Sequence, residues 1–166
     1  MGQYHYLVNL DKRQFVHPNR IGNGLKLYEQ INWRYATATA LVMLLATSSK
    51  AGGRGSGDFH VEHPLVGAWA GDRVAFIGDY ARPDDIPGCN AKRIYQECKA
   101  ACSWSETAQA KKCRRRWTNI SAQVREMMIA EFGIRYVGDG WLDIVEKQGR
   151  TVKPALAPDL VITVNA

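Results

Sequence analysis

All four cysteines of this chain lie between positions 89 and 117, and the segment 92–116 carries eight basic residues against two acidic ones, a balance equal to the whole chain's net charge of +6. The remaining residues therefore sum to zero. That partition constrains the fold more than any single motif does. A neutral remainder must supply the core, and the basic, cysteine-bearing segment at about 88–117 reads as an insertion on an otherwise ordinary globular domain. One domain spanning 1–166 suits the length, which suffices to bury roughly two thirds of the surface the unfolded chain exposes. A hydrophobic content of 46%, with five Trp, seven Tyr and four Phe, supplies the side chains to fill one core.

The apolar pattern resolves into hairpins and two principal helices. Residues 4–10 and 15–17 are aromatic and branched runs around the polar Asp11, Lys12, Arg13 and Gln14, which predicts a hairpin. Residues 65–69 and 73–77 flank Ala70, Gly71 and Asp72 as a second. Val74, Ala75, Phe76 and Ile77 are apolar on both faces, which places that strand inside the sheet. A third hairpin is expected from residues 135–137 and 141–145 around Gly138, Asp139 and Gly140, and residues 160–164 read as a final strand.

The first helix runs from Thr37 or Thr39 to Thr47. Ala40, Leu41, Leu44 and Leu45 share a face there and Val42 and Met43 lie on others, so burial nearly all round is expected. The second spans 120–132, where Val124, Met127, Met128 and Phe132 recur at helical spacing, with Asn119 or Ser121 as N-cap and Gly133 just past the end. The fold class is α+β: an antiparallel sheet built from hairpins with two principal helices, plus the basic insertion.

Several function classes are disfavoured. The longest apolar run, residues 36–46, contains Thr37 and Thr39 and falls well short of the ~20 residues of a membrane span. The first residues lack the charged-then-apolar order of a secretory signal, so a cytoplasmic protein with reduced thiols and no membrane partner is expected. No serine or cysteine sits in a nucleophile motif.

The glycine-rich string holding Gly53, Arg54, Gly55, Gly57 and Asp58 offers backbone N–H groups to a phosphate, with Arg54 adding charge. It lacks the Gly-Lys-Ser/Thr ending of a phosphate loop and follows a helix rather than opening one, so a tight connection explains the same glycines. Asp58, Asp72, Arg73 and Asp79 form a polar set in which turn-capping roles outweigh a divalent-ion site. His5, His17, His60 and His63 supply general-base candidates, yet His60 and His63 around Glu62 do not match the zinc-protease spacing. Cys98 and Cys102, four apart, would share a helix face, and Cys89 and Cys113 would complete a four-thiolate zinc site at loose spacing. Two disulfides or four separate thiols fit the same residues.

Lys111, Lys112, Arg114, Arg115 and Arg116 with Trp117 form the densest basic run. Such a run neutralises phosphates and releases counterions, while Trp104 and Trp117 offer rings for stacking on bases. The expected partner is therefore nucleic acid or an acidic surface of a nucleic-acid-binding protein complex. The alternative is a nucleotide-binding or nucleotide-processing enzyme centred on the glycine-rich string.

The opening Met1-Gly2-Gln3-Tyr4 with Val8-Asn9-Leu10-Asp11-Lys12, Gly22-Asn23-Gly24-Leu25-Lys26-Leu27, Gly53-Arg54-Gly55-Ser56-Gly57-Asp58, Trp69-Ala70-Gly71-Asp72-Arg73 and Gly78-Asp79-Tyr80-Ala81 resemble a family of small uncharacterised proteins of bacteria and their phages. The resemblance covers about the first half of the chain and resumes at residues 136–141; the segment 89–116 and the tail after Glu146 depart from it. It implies no reaction. What it implies is a small, plausibly phage-encoded binding protein that inhibits a nucleic-acid-handling host-defence complex, an expectation by association.

Overall fold

The computed structural model describes residues 3–32, 35–47, 59–137, 141–145 and 151–152, with side chains described up to position 133. Strands β1 (His5–Asn9) and β2 (Gln14–Val16) pair antiparallel, with Leu7 opposite Val16 and Val8 opposite Phe15. The wholly buried Asn9 closes the turn between them. Its Oδ1 accepts from the backbone N–H of Asp11 at 3.0 Å and of Lys12 at 2.8 Å, and its Nδ2 donates to Asp72 at 2.7 Å. A buried side-chain amide with its polar atoms satisfied in this way holds a turn rigidly. Arg13 ends the turn at φ +52°, a left-handed conformation that costs a branched or long side chain free energy.

Strand β3 (Val74–Gly78) pairs antiparallel with the other edge of β1, and β4 (Thr118–Asn119) joins β2 in parallel, giving the order β3-β1-β2-β4. Side chains alternate across a strand, so this sheet has two apolar faces. On the first, Leu7 and Val16 pack with Ala40, Met43 and Leu44 of α2 (Thr37–Leu45) and Val124, Met127 and Met128 of α5 (Ser121–Phe132). On the second, Tyr6, Val8, Phe15 and Ile77 pack with Ile94, Tyr95 and Cys98 of α3 (Ala91–Cys102) and Cys113 of α4 (Ala108–Arg116), together with Trp117. The short β4 is the crossing point, because Trp117 before it joins the second face and Ile120 after it joins the first. A short helix α1 (Leu27–Asn32) precedes α2. A second sheet, order β5-β6-β7, is built from β5 (Ile134–Val137), β6 (Trp141–Val145) and β7 (Thr151–Val152).

The class is mixed α+β; the described residues include five α-helices and a four-stranded sheet in which β4 pairs in parallel, where two principal helices and an antiparallel sheet were expected. The segment about 88–117 packs against the sheet. Asn90 caps α3 by accepting from the Arg93 N–H at 2.8 Å, Thr107 caps α4 by accepting from the Ala110 N–H at 3.3 Å, and the inner sides of both helices close the second face. Residues 65–69 are not a strand. They coil in successive turns, and the N–H groups of Gly67 and Trp69 donate to the carbonyls of Met43 and Leu44 in the last turn of α2. Gly67 has φ +74°, and a Cβ there would lie 2.4 Å from the Ala46 carbonyl oxygen, so this docking requires glycine. The indole of Trp69 is buried and donates to Gln14 at 2.7 Å, which leaves β1 as the partner of β3.

Helix α2 is not buried all round, since Val42 is 60% exposed. Helix α5 ends at Gly133 in the left-handed conformation, with its N–H returned to the Ile129 carbonyl. Its start is held by Asn119, whose Oδ1 accepts from the Ser121 N–H at 3.0 Å and from the Ser121 hydroxyl at 2.6 Å. The strand expected at 160–164 and the glycine-rich string lie outside the described residues.

Candidate functional site

Helix α4 divides the basic run between two roles. Its buried side chains are Ala110 and Cys113, so Arg114 and Arg116 turn toward neighbouring structure while Lys111, Lys112 and Arg115 face solvent. Arg114 donates to the carbonyls of Ser103 at 2.8 Å and Ser105 at 3.0 Å and to Glu106 at 3.2 Å, tying α4 to the loop that follows α3. Arg116 donates to Glu97 of α3 at 2.5 Å. Lys111 meets Glu106 at 3.1 Å in an exposed pair of little energetic weight. Among the described residues Lys112 and Arg115 have no carboxylate partner.

Trp117 is not a stacking platform. It is buried, and its indole N–H donates to Glu97 at 2.7 Å. Both carboxylate oxygens of the buried Glu97 are thus engaged, one by Arg116 and one by Trp117, which locks α3 to α4. Trp104 is the opposite case. At 90% exposed it stands in the loop between these helices, with the Arg20 guanidinium carbon 5.8 Å from its ring centroid.

Beside the Glu97 lock lies a cleft of about 310 Å³ that sequence spacing did not indicate. Arg13, Arg73, Arg93 and Arg116 are among the residues that line it, together with Leu10, Ile94 and Trp117. The β1–β2 turn brings the first two together. Leu10 N–H donates to the Arg73 carbonyl at 2.9 Å, and Asp11 accepts from the Arg73 backbone N–H at 2.7 Å and from its Nε at 2.9 Å. These bonds hold the Asp11 carboxyl below its ordinary range, the Arg73 backbone N–H first. Asp72 is held low by Lys12 and Asn9. Both aspartates are therefore turn clamps, and Asp79 likewise caps the Tyr4 N–H at 3.1 Å.

The thiols offered to zinc line the core. Cys98 and Cys113 are buried, Cys89 and Cys102 half-buried, and all four are free. Burial pushes the Cys98 thiol up and the Cys102 thiol up to about 11. Among the described residues no group of three or more His, Cys, Asp or Glu is placed to hold a metal ion. His5 and His17 are similarly interior. Burial lowers both, His17 to about 4 with the Arg20 charge adding to the effect, and the Nδ1 atoms of both lack partners among the described residues. His63 accepts from the Leu65 N–H at 3.2 Å. Gly53, Arg54, Gly55, Gly57 and Asp58 lie outside the described residues, so nothing in the structure brings them to this site.

No protein-family model, curated protein or solved structure matches this chain. Fold and side-chain geometry therefore carry the functional reading: a mixed α+β protein with exposed basic side chains on α4 and a cleft lined by four arginines. Among the described residues no helix is long and apolar enough to cross a membrane.

Proposed function

We propose that this protein is a non-catalytic binder of nucleic acid that contacts phosphates through the outer side of α4. The observation that carries this reading is the division of labour on that helix: Arg114 and Arg116 are committed to anchoring it, while Lys112 and Arg115 are presented to solvent without counter-charges among the described residues. Cations held on a fixed helix neutralise phosphates and release counterions with little loss of their own freedom. The exposed Trp104 offers the one ring in this region suited to stacking on an unpaired base. The inhibition of a host-defence complex implied by the family resemblance rests on that resemblance alone.

The test is a salt titration of binding to short single- and double-stranded DNA and RNA with the variant K112E/R115E. Reversal of Arg114 or Arg116 would disturb the α3–α4 lock, so these two are left intact. Reversing two phosphate contacts should weaken binding at low salt by about tenfold or more and reduce the slope of log K against log salt by about 2. Equal binding by the variant and the parent would contradict the proposal, and retained binding to an acidic protein with none to nucleic acid would replace it.

A further inference from the structure

The arginine cleft is lined by neither Lys112 nor Arg115, the two α4 cations proposed to meet a strand. Its four arginines come from the β1–β2 turn, the residue preceding β3, the first turn of α3 and the last residue of α4. Two carboxylates answer them. Asp11 takes Arg73 at 2.8 Å, and Glu97 takes Arg116 at 2.5 Å with its other oxygen given to Trp117. Arg93 reaches Glu97 only at 4.0 Å, and Arg13 has no carboxylate partner among the described residues. Two positive charges in a cleft of about 310 Å³ are thus left without a close counter-charge. Gathering like charges in one cleft is unfavourable, and an anion that joins them relieves the repulsion.

Arg13 adds a second sign. It occupies a backbone conformation that favours glycine, φ +52°, yet the residue there is an arginine, and it lines the cleft. The strain makes sense if the guanidinium is needed at that place. We propose that this cleft is a binding site for a phosphate group borne on a small ester or on the end of a strand. Guanidiniums approaching from separate elements match the several oxygens of a tetrahedral anion, whereas a carboxylate offers two oxygens in one plane and satisfies a single fork. The volume, near the lower end of the roughly 300–1,000 Å³ range of ligand clefts, leaves room for a sugar beside the phosphate. The ordinary alternative is a solvated rim of arginines with no affinity for any anion.

Inorganic phosphate is the first probe, titrated by calorimetry into the full chain at ionic strength matched with chloride. Saturable binding is expected, with a loss of about tenfold or more in Arg13→Gly and in Arg93→Gln, the worth of a charge-assisted hydrogen bond. Arg13→Gly relieves the strained turn, so its loss of binding cannot be assigned to misfolding when its Tm is at or above that of the parent. K112E/R115E should bind phosphate as the parent does, which separates this site from the strand-binding face. Competition then identifies the source. Displacement by a 5′-phosphorylated oligonucleotide and not by its 5′-hydroxyl twin supports the site and assigns it to strand ends; displacement by ribose 5-phosphate alone supports it and assigns it to small esters. No binding above the chloride control, or equal binding by parent, Arg13→Gly and Arg93→Gln, would overturn the proposal.

Discussion

The two faces of the four-stranded sheet are built from alternate residues of the same strands, yet they are covered in different ways. Leu7 and Val16 meet α2 and α5, whose buried residues are mainly aliphatic side chains and methionines. Tyr6, Val8 and Phe15 meet α3 and α4, whose buried residues are alanines, cysteines, Ile94 and Tyr95, and whose polar lock is Glu97 with Arg116 and Trp117. The first face holds the fold by volume. The second also fixes the positions of charges, because helices with a narrow buried stripe leave most of their surface to Lys and Arg. A cationic surface mounted on a core layer is pre-organised in a way that a tethered basic tail is not.

That contrast can be broken most severely at Trp69. Trp69→Ala should cost about 3–5 kcal/mol by emptying the first face, read as the denaturation midpoint, with anion binding by the remaining folded fraction unchanged. Glu97→Ala should cost about 2–3 kcal/mol, because it leaves the Trp117 indole N–H without its acceptor. The figure stays below that for a wholly buried ion pair because the Arg116 side chain is 40% exposed. Unlike the Trp69 variant, it should also alter phosphate affinity, since Arg116 loses its fixed position.

Acid should weaken the second face next. The His17 ring lies 5.0 Å from that of Tyr6 and titrates near pH 4 in the folded protein against 6.5 unfolded. The unfolded chain therefore binds the extra proton across that window, so stability is full above pH 6.5 and falls as pH drops toward 4. The loss is about 2 kcal/mol after allowance for partial exposure, and His17→Gln should flatten that part of the profile. Arg13→Gly should do the reverse of the core variants, raising stability by up to about 1 kcal/mol while removing phosphate affinity. The smallest effect is on thiol labelling: at pH 8 an alkylating reagent should modify the half-buried Cys89 before Cys102, and Cys98 only at the rate of global opening.

Helix α5 was legible because Val124, Met127 and Met128 repeat at helical spacing and Gly133 terminates it, and the first hairpin because Asp11, Lys12, Arg13 and Gln14 form a polar stretch between apolar runs. The α3–α4 layer was not. Its buried residues include Cys98, Ala101, Ala110 and Cys113, small side chains that read as metal-ligand spacing or helix filler, while the surrounding Lys and Arg dominate the composition. Residues 65–69 were misread because apolar content suggested a strand where Gly67 and Trp69 instead bond the end of α2. Of the interface, the basic run was visible but the division within it was not, since which arginines are anchored depends on where Glu97 and the Ser103 and Ser105 carbonyls sit. The convergence of Arg13, Arg73 and Arg93 was not legible, because only the pairing of β1 with both β2 and β3, and the packing of α3, brings them to one cleft.

The account turns on α3 and α4 being a core layer. Native-state amide hydrogen exchange measures this directly. The amides of Tyr95, Cys98 and Cys113 should exchange with the same opening free energy as those of Val124 and Met127, converging on global unfolding. Exchange in α3 and α4 at a free energy several kcal/mol lower, with α5 still protected, would show a loosely attached basic segment and contradict the account.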